Sequence, residues 1–266
     1  MREPERINAD VWRSSEVLGI FAGREGYIDA GEAMLLTRIT AEVGREPILD
    51  IGVGGGRTIP LLSETSDEYV AVDYLQEMVA LTRAQHPGVR VEQADARDLS
   101  EFEDGSFGAV LFSFNGIDGV AHEDRVEVHR AVMRVLRPGG LYVYSTHNLD
   151  FCCAGRPPWD RSWWDLDNGP RAALAYAARL PRRSRSYRRL RGLTVPGDGW
   201  AVLVGSAYDF SVLWHHVNPE EARAELRQAG CSDEAEMYSS NGEEITAGAD
   251  TEGTPWLYLL ARKPGP

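Results

Sequence analysis

The sequence predicts an α/β fold, in which a doubly wound, mostly parallel, seven-stranded sheet ends in an antiparallel hairpin. Short apolar segments alternate with helical patterns between residues 47 and 150. This alternation is typical of right-handed βαβ crossovers and a parallel sheet. A glycine-rich loop follows the first apolar segment, and two apolar segments joined by a long loop come near the end of the chain. The final pair predicts the closing hairpin.

The seven predicted strands are apolar segments bounded by turn residues. They span residues 48–51, 69–72, 89–91, 109–114, 141–145, 234–238 and 256–261. Helical patterns occupy 75–85 and 123–136, and a third helix is predicted to begin at Asn218-Pro219. Asparagine is a favoured N-cap, and proline loses no hydrogen bond in a first helical turn. Gly230 is predicted to end that helix.

Changes in this pattern divide the chain into four parts. Residues 1–44 carry two helical patterns and are predicted to form N-terminal helices and a lid, and residues 45–150 form the alternating core. Residues 151–217 break the alternation with prolines, tryptophans and an arginine-rich run, which predicts an inserted cap. Residues 218–266 are predicted to complete the sheet.

Composition disfavours several classes of protein. The formal net charge is −13, so we expect no binding to DNA, and RNA is not the favoured partner. No apolar run is long enough to predict a membrane span, and the charged N-terminus does not resemble a signal peptide. The three cysteines (Cys152, Cys153 and Cys231) do not form a disulfide or zinc pattern. We therefore expect a reduced, cytoplasmic protein, whose oligomeric state is left open.

The glycine-rich loop carries the strongest motif. Residues 50–56 read D-x-G-x-G-x-G, and Asp73 ends the second predicted strand 23 residues after Asp50. Glycines permit a tight turn and close approach of a ligand to the backbone, and the following helix N-terminus favours an anionic group. A carboxylate at position 73 could accept hydrogen bonds from ribose hydroxyls. A dinucleotide fingerprint would need glycine at position 57, where the chain has Arg57.

Three further segments follow this motif in order: Gln93–Ala96, Phe112–Asn115 and Leu136–Leu141, the last reading L-R-P-G-G-L. With these segments, residues 47–150 resemble the class I S-adenosylmethionine-dependent methyltransferases, which have a Rossmann-like core. The resemblance covers less than half of the chain and does not indicate a substrate. It implies that the cofactor is S-adenosylmethionine and that the product is S-adenosylhomocysteine.

The resemblance also implies contacts to each part of the cofactor. The implied cofactor-binding residues are Asp50, Gly52, Gly54, Gly56, Asp73, Tyr74, Met78, Asp95, Ala96, Ser113, Phe114, Asn115 and Tyr27. The glycines and Asp50 would surround the amino-acid end, and Asp73 would bind the ribose. Tyr74 and Met78 would flank the adenine. Tyr27 would either close over the site or pack the first helices together.

Methyl transfer from a sulfonium depends mainly on alignment, and the family has no fixed catalytic residue to carry over. An oxygen nucleophile usually needs a base. We therefore consider polar residues near the carboxyl ends of strands: His147, Asn148 and His216. His147 is the first choice, with a packing role as the alternative. No metal site is predicted from the paired histidines His215 and His216, nor from the insertion's Asp165, Asp167 and Asn168.

Two features of the insertion leave alternatives open. Trp159, Trp163 and Trp164, with Trp214, could line an apolar pocket or attach the cap to the core. The segment Arg182–Arg191 has six arginines in ten residues, which could bind RNA, a phosphorylated substrate or an acidic partner, or form a solvated helix face. The favoured function is methylation of a small molecule, a metabolite or natural product, at oxygen or nitrogen. The alternatives are an RNA or peptide methyltransferase and a non-catalytic S-adenosylmethionine-binding protein.

Overall fold

The computed structural model describes residues 1–23, 27–163, 169–232 and 234–265. Trp164, Asp165, Asp167 and Asn168, which the sequence singled out, lie outside the described residues. In the described part, no helix is both long and apolar enough to cross a membrane.

The strands form one mixed sheet. They are β1 (Ile48–Ile51), β2 (Tyr69–Asp73), β3 (Arg90–Gln93), β4 (Phe107–Phe112), β5 (Leu136–Asn148), β6 (Val195–Pro196), β7 (Trp200–Gly205), β8 (Val212–Val217), β9 (Glu236–Ser239) and β10 (Trp256–Arg262). The first five lie parallel in the order β3-β2-β1-β4-β5. β10 pairs antiparallel with β5, and β9 with β10. The predicted fold class, with its closing antiparallel pair, is confirmed.

Helices cover both faces of this sheet. They are α1 (Glu3–Trp12), α2 (Ser15–Gly23), α3 (Ala30–Val43), α4 (Ile59–Thr65), α5 (Gln76–Gln85), α6 (His122–Val135), α7 (Gly169–Leu190), α8 (Ala207–Phe210) and α9 (Pro219–Gln228), with 3-10 turns at Gly116–Gly119, Arg161–Trp163 and Arg191–Leu193. Asn218 caps α9 as predicted, because its side chain accepts a hydrogen bond from the backbone N–H of Glu221 at 2.8 Å.

Alternation along the strands divides the apolar core into two layers. On β1, Leu49 joins the buried cluster that contains Val128 of α6 and Leu226 of α9. Its neighbour Ile48 points the other way, into the cluster that contains Leu36 of α3. Successive strand residues point to opposite faces, so a short apolar strand supplies both layers. Each fully buried aliphatic side chain contributes about 1.5–3 kcal/mol to folding.

The structure corrects the interpretation of residues 151–217 as a cap alone. Residues 195–217 contribute β6, β7 and β8, so the described sheet has ten strands instead of the seven predicted. His147 on β5 pairs with Trp256 of β10 on one edge and with His216 of β8 on the other. Pairing of β4 with β5 ends at Phe112↔Tyr144. β8 therefore extends the sheet on the β4 side, just beyond the end of that strand.

Candidate active site

A cavity of about 1390 Å³ lies at the carboxyl ends of the parallel strands, where open α/β sheets usually bind ligands. Its wall includes the glycine loop after β1 and the ends of β2, β4 and β5. The N-terminal helices α1 and α2 and parts of residues 151–216 supply further parts of the wall. Aromatic side chains that the sequence did not indicate as site residues also border it, among them Trp12 and Trp256.

Three alternate glycines turn the chain from β1 into α4. Gly52, Gly54 and Gly56 have φ angles of +67°, +54° and +77°, a left-handed region that strains residues with a side chain. A Cβ atom on Gly52 would also lie 2.8 Å from the ring of Phe112. Gly52 and Gly54 line the cavity, whereas Gly56 lies outside its wall and faces His86.

Asp50 places a buried carboxylate at the start of this loop. Its Oδ2 atom accepts hydrogen bonds from Thr58 Oγ1 at 2.5 Å and from the Tyr69 hydroxyl at 2.6 Å. Burial raises the pKa of Asp50 to about 6, against the lowering effect of these two donors. The ionised form lacks a cationic partner within ion-pair distance among the described residues. A cationic ligand group in the cavity would therefore stabilise it.

Asp73 joins the end of β2 to the glycine loop. Its carboxylate accepts the backbone N–H of Gly54 at 3.1 Å and that of Leu75 at 2.9 Å. Burial raises the pKa of Asp73 to about 6, although both N–H donors oppose the shift. The side chain lines the cavity, so it can accept further hydrogen bonds while it holds the loop.

The residues predicted to surround an adenine are brought together in the cavity wall. Tyr74, Met78, Asp95 and Ala96 all line it. Asp95 is paired with Arg97 at 2.6 Å, and Arg97 also reaches Glu5 of α1 at 3.0 Å and Asp124 at 2.9 Å. This ion-pair network attaches the N-terminal helix over the cofactor end of the cavity.

The end of β4 brings a strained turn to the same cavity. Ser113, Phe114 and Asn115 line it, and the last two have φ angles of +53° and +60°, which are uncommon for residues other than glycine. The amide oxygen Oδ1 of Asn115 is buried without a hydrogen-bond partner in the described structure. Tyr27, by contrast, is 55% exposed and outside the wall, with its ring edge-on to Phe114.

These groups match the chemistry of S-adenosylmethionine. The buried carboxylate of Asp50 and the unpaired oxygen of Asn115 are acceptors for an ammonium group. Asp73 is an acceptor for ribose hydroxyls, and Tyr74 and Met78 offer apolar faces to a flat base. These acceptors and the cavity therefore fit this cofactor.

At the end of β5, His147 faces the cavity and is held from behind by Asp118. Its Nδ1 atom lies 2.7 Å from Asp118 Oδ2, and its backbone N–H donates to the same oxygen at 2.6 Å. Its ring also stacks on Trp214, with centroids 5.5 Å apart. When Nδ1 donates to the carboxylate, the lone pair is on Nε2. The imidazole can then act as a base.

Asp118 is itself fixed by a buried polar network that sequence reasoning missed. Its Oδ1 atom accepts hydrogen bonds from Thr146 Oγ1 at 2.5 Å and from Arg125 Nη1 at 3.0 Å. The fully buried Arg125 also donates twice to Glu225 of α9, at 2.8 and 3.0 Å. Burial would raise the pKa of Glu225, but the Arg125 guanidinium holds it well below its usual range.

The other predicted catalytic residues have different surroundings. His216 lines the cavity beside His147, with ring centroids 5.0 Å apart. Burial lowers the pKa of His216 to about 3, so this imidazole is neutral at pH 7. The structure does not bring Asn148 into the cavity wall. Its buried amide donates to the carbonyls of Thr251 at 2.8 Å and Thr254 at 3.0 Å, as a structural side chain would.

Within the described ranges, His122, His215 and Glu225 have potential ligand atoms within 4.8 Å of one another. Nδ1 of His122 and Nε2 of His215 are 3.1 Å apart, and the two ring planes are nearly parallel, at 6°. With ring centres 5.2 Å apart, these nitrogens face each other as in a hydrogen bond. The Glu225 carboxylate already binds Arg125. The geometry favours a hydrogen-bonded pair over a metal site.

The predicted pocket tryptophans that the structure describes divide between the two roles. Trp163 and Trp214 line the cavity. Trp159 lies outside its wall, is 44% exposed and packs edge-on against Tyr187. Sequence position alone did not separate these roles.

Comparison with known proteins agrees with this geometry. Residues 48–140 match the family described as "Methyltransferase domain". The chain is 38% identical over 110 residues to a demethylmenaquinone methyltransferase from Clavibacter sepedonicus, covering 40% of this chain and 43% of that protein. It is 29% identical over 164 residues to a fatty-acid O-methyltransferase from Mycolicibacterium smegmatis, covering 59% and 53%. The chain thus spans about half the length of the curated relatives it matches.

Solved structures match over nearly the whole chain. A Thermotoga maritima S-adenosylmethionine-dependent methyltransferase, described as a possible histamine N-methyltransferase, has a TM-score of 0.56 at 16% identity, covering 98% of this chain and 100% of that one. An S-adenosylmethionine-bound amino pentose methyltransferase from Micromonospora echinaspora has a TM-score of 0.56 at 18% identity, covering 93% and 95%. Residues 48–140 thus match a methyltransferase domain, and the chain shares its fold with solved S-adenosylmethionine-dependent methyltransferases. The glycine loop and the acids Asp50 and Asp73 agree with such a cofactor site.

Proposed function

We propose that the protein methylates a hydroxyl group of a small molecule, with His147 as the general base. The observation that carries this proposal is the 2.7 Å contact between His147 Nδ1 and Asp118 Oδ2, on an imidazole that lines the same cavity as the glycine loop. When bound, S-adenosylmethionine supplies a methyl group on a positively charged sulfur, and the sulfur keeps the electron pair of the methyl–sulfur bond that breaks. His147 accepts the hydroxyl proton at Nε2 as the oxygen bonds to the methyl carbon.

The proposed roles of the other residues follow from their positions. Asp50, Asp73 and Asn115 bind the polar groups of the cofactor, and Asp118 keeps His147 in the tautomer that a base requires. His216, neutral and adjacent, limits the space beside His147. Arg97 and Glu5 keep α1 over the cavity, which excludes water from the reacting groups.

Three considerations support a small acceptor. The N-terminal helices and the insertion contribute to the wall of the cavity, and such a concave site suits a small ligand better than a folded RNA or protein. The relatives' names refer to demethylmenaquinone, a fatty acid and an amino pentose. Finally, Arg182 and Arg183 of the arginine-rich segment are engaged by carboxylates of this chain, which weakens the case for an RNA-binding face.

The test is a comparison of H147Q with H122Q, a histidine variant outside the cavity wall. Acceptors are screened by S-adenosylhomocysteine formation, and both variants are assayed with the acceptor found. We expect H147Q to lose about 10²- to 10⁴-fold in kcat with unchanged S-adenosylhomocysteine affinity, and H122Q to keep its kcat within a few-fold. Equal kcat values for H147Q and the parent would exclude the base role. Cofactor binding without turnover of any acceptor would favour the non-catalytic alternative.

A further inference from the structure

Four arginines line the cavity on the side formed by α7. They are Arg179, Arg182, Arg183 and Arg189, called here the arginine wall. The proposed methyl transfer gives these cations no task, because the cofactor residues and His147 belong to other elements. Long cationic side chains inside a ligand cavity usually recognise an anionic group.

Three of these arginines converge on one carboxylate. Asp209 receives Arg179 Nη2 at 3.0 Å, Arg182 Nε at 3.2 Å and Arg183 Nε at 3.0 Å, and its side chain is only 3% exposed. Glu16 of α2 receives Arg179 and Arg182 from the other side, at 3.8 and 2.8 Å. The carboxylates of Asp209 and Glu16 are therefore fewer than the four arginines of the wall.

Two arginines of the wall keep donor groups that these carboxylates do not engage: Arg183, through its terminal nitrogen Nη1, and Arg189. Nη1 of Arg183 is a buried donor without a hydrogen-bond partner in the described structure. The ion pairs that the described residues form with the arginine wall involve Arg179, Arg182 and Arg183, and none of them involves Arg189. A buried unsatisfied guanidinium N–H is costly, so an anion that reached Arg183 would be stabilised.

The backbone that carries Asp209 is unusual. Tyr208, Asp209 and Phe210 have φ angles of +48°, +56° and +61°, and three consecutive left-handed residues with side chains are rare. Phe210 is buried and anchors the turn, with its ring edge-on to Trp163 and Tyr187. Such strain persists only where the surroundings fix it, often at ligand sites. Here it holds an internal anion against the arginine wall.

We propose that the arginine wall binds an anionic group of the methyl acceptor, a carboxylate or a phosphate, with Asp209 as its internal counterion. This inference rests on the proposed function, because it takes the cavity to bind a methyl acceptor. Apolar side chains lie beside the wall and also line the cavity: Ile7, Val17, Trp163, Leu190, Leu193 and Val204. The acceptor is thus an amphipathic acid, whose apolar body lies on these residues and whose anion reaches Arg183.

The test measures binding, so it does not depend on turnover. Three anions, 4-hydroxycinnamate, decanoate and phenyl phosphate, are titrated calorimetrically into the protein with and without S-adenosylhomocysteine. Each is compared with its neutral counterpart: 4-hydroxycinnamamide, decanamide and phenol. We expect at least one anion to bind at least about tenfold more tightly than its counterpart. If no anion binds more tightly than its counterpart, including the case in which none binds, the proposal is overturned.

Two variants locate the effect. R179Q/R182Q, which leaves the Arg183–Asp209 pair in place, should reduce the preference for the anion at least about fivefold. The matched control R185Q/R191Q removes the same charge from residues outside the cavity wall and should leave the preference unchanged. D209N should tighten anion binding, because it removes the competing carboxylate while asparagine tolerates the left-handed backbone. Weaker anion binding by D209N, or equal loss in both double variants, would contradict the proposal.

Failure of this inference can be told apart from failure of the proposed function. If S-adenosylhomocysteine binds but no anion is preferred, the cofactor site stands and the arginine wall has no ligand role. If an anion is preferred but S-adenosylhomocysteine does not bind, the wall stands and the proposed methyl transfer fails.

Discussion

Asp118 Oδ2 lies 2.7 Å from Nδ1 of His147 and also accepts the backbone N–H of the same residue. One carboxylate oxygen therefore fixes both the position and the tautomer of the imidazole. In D118N, an amide N–H facing Nδ1 would favour the tautomer with the proton on Nε2, where the proposed base needs a lone pair. We expect kcat to fall about 10²- to 10⁴-fold.

A structural role alone would also disturb binding, so the D118N test includes the cofactor. The KM for S-adenosylmethionine and the calorimetric stoichiometry of S-adenosylhomocysteine should match those of the parent. A parallel loss of kcat and of binding-competent protein would show that Asp118 supports folding and does not position the base.

Replacing Asp73 should weaken cofactor binding. D73A removes an acceptor for ribose hydroxyls and releases the N–H groups of Gly54 and Leu75. Charged hydrogen bonds contribute about 1.5–3 kcal/mol each, so we expect the Kd for S-adenosylhomocysteine to rise about 10- to 100-fold. The control is D67A, which removes an exposed acid paired with Arg45 at the surface. A D73A protein that binds as tightly as D67A would refute the assignment.

Cofactor affinity should depend on pH near 6. Burial raises the pKa of Asp50 and of Asp73 to about 6, so both are largely protonated below that value. A bound ammonium favours the ionised form of Asp50, which lowers its pKa in the complex. Affinity is therefore constant well above pH 6 and falls as the pH drops through 6, by up to about tenfold per pH unit for each proton.

Comparison with D50N assigns this dependence. The parent can take up two protons in this range and D50N only one, at Asp73, so the variant should show a shallower decline of affinity between pH 7 and 5. Calorimetric titrations of S-adenosylhomocysteine at several pH values give both slopes. A parent Kd that is the same at pH 5 and pH 8 would be inconsistent with proton uptake by Asp50 or Asp73 in this range.

The buried pair of Arg125 and Glu225 should contribute strongly to stability. The guanidinium is fully buried and donates twice to Glu225, so E225Q leaves it with one carboxylate, that of Asp118. Breaking a buried pair from one side costs about 3–5 kcal/mol. Urea denaturation of E225Q should show this loss, while E220Q, an exposed position on the same helix, should lose less than about 1 kcal/mol. Similar unfolding midpoints for the two variants would contradict the expectation.

Local sequence predicted the strands and the glycine loop of residues 45–150 because their determinants lie close together in the chain. The positive φ angles of residues 52, 54 and 56, all within five residues, favour glycine at these positions. Asp73 was predicted because it ends the next strand. The second half depends on distant partners. Arg125 and Glu225 are 100 residues apart, and no local pattern indicates that they meet.

The strands β7 and β8 were missed for a related reason. Their residues are apolar and aromatic, but their place in the sheet is decided by the short contact of His216 and Val217 with β5. Asp118 was missed because it lies in a 3-10 turn after β4, without a motif of its own. The polar residue Asn115 at the end of β4 was the available signal for that turn.

The pairing of Asn148 with Val217 has a consequence for how this protein can change. Strand β5 ends at Asn148 and β8 ends beside it at Val217, so the excursion between them, which includes β6 to β8, begins and ends at neighbouring residues of the sheet. Closing a loop between two adjacent anchors costs little more when the loop grows, since the entropy rises only with the logarithm of its length. This excursion carries the arginine wall and none of the residues assigned to the cofactor. Exchange of this excursion for another would therefore change the residues proposed to face the methyl acceptor and leave the residues proposed to bind the cofactor in place.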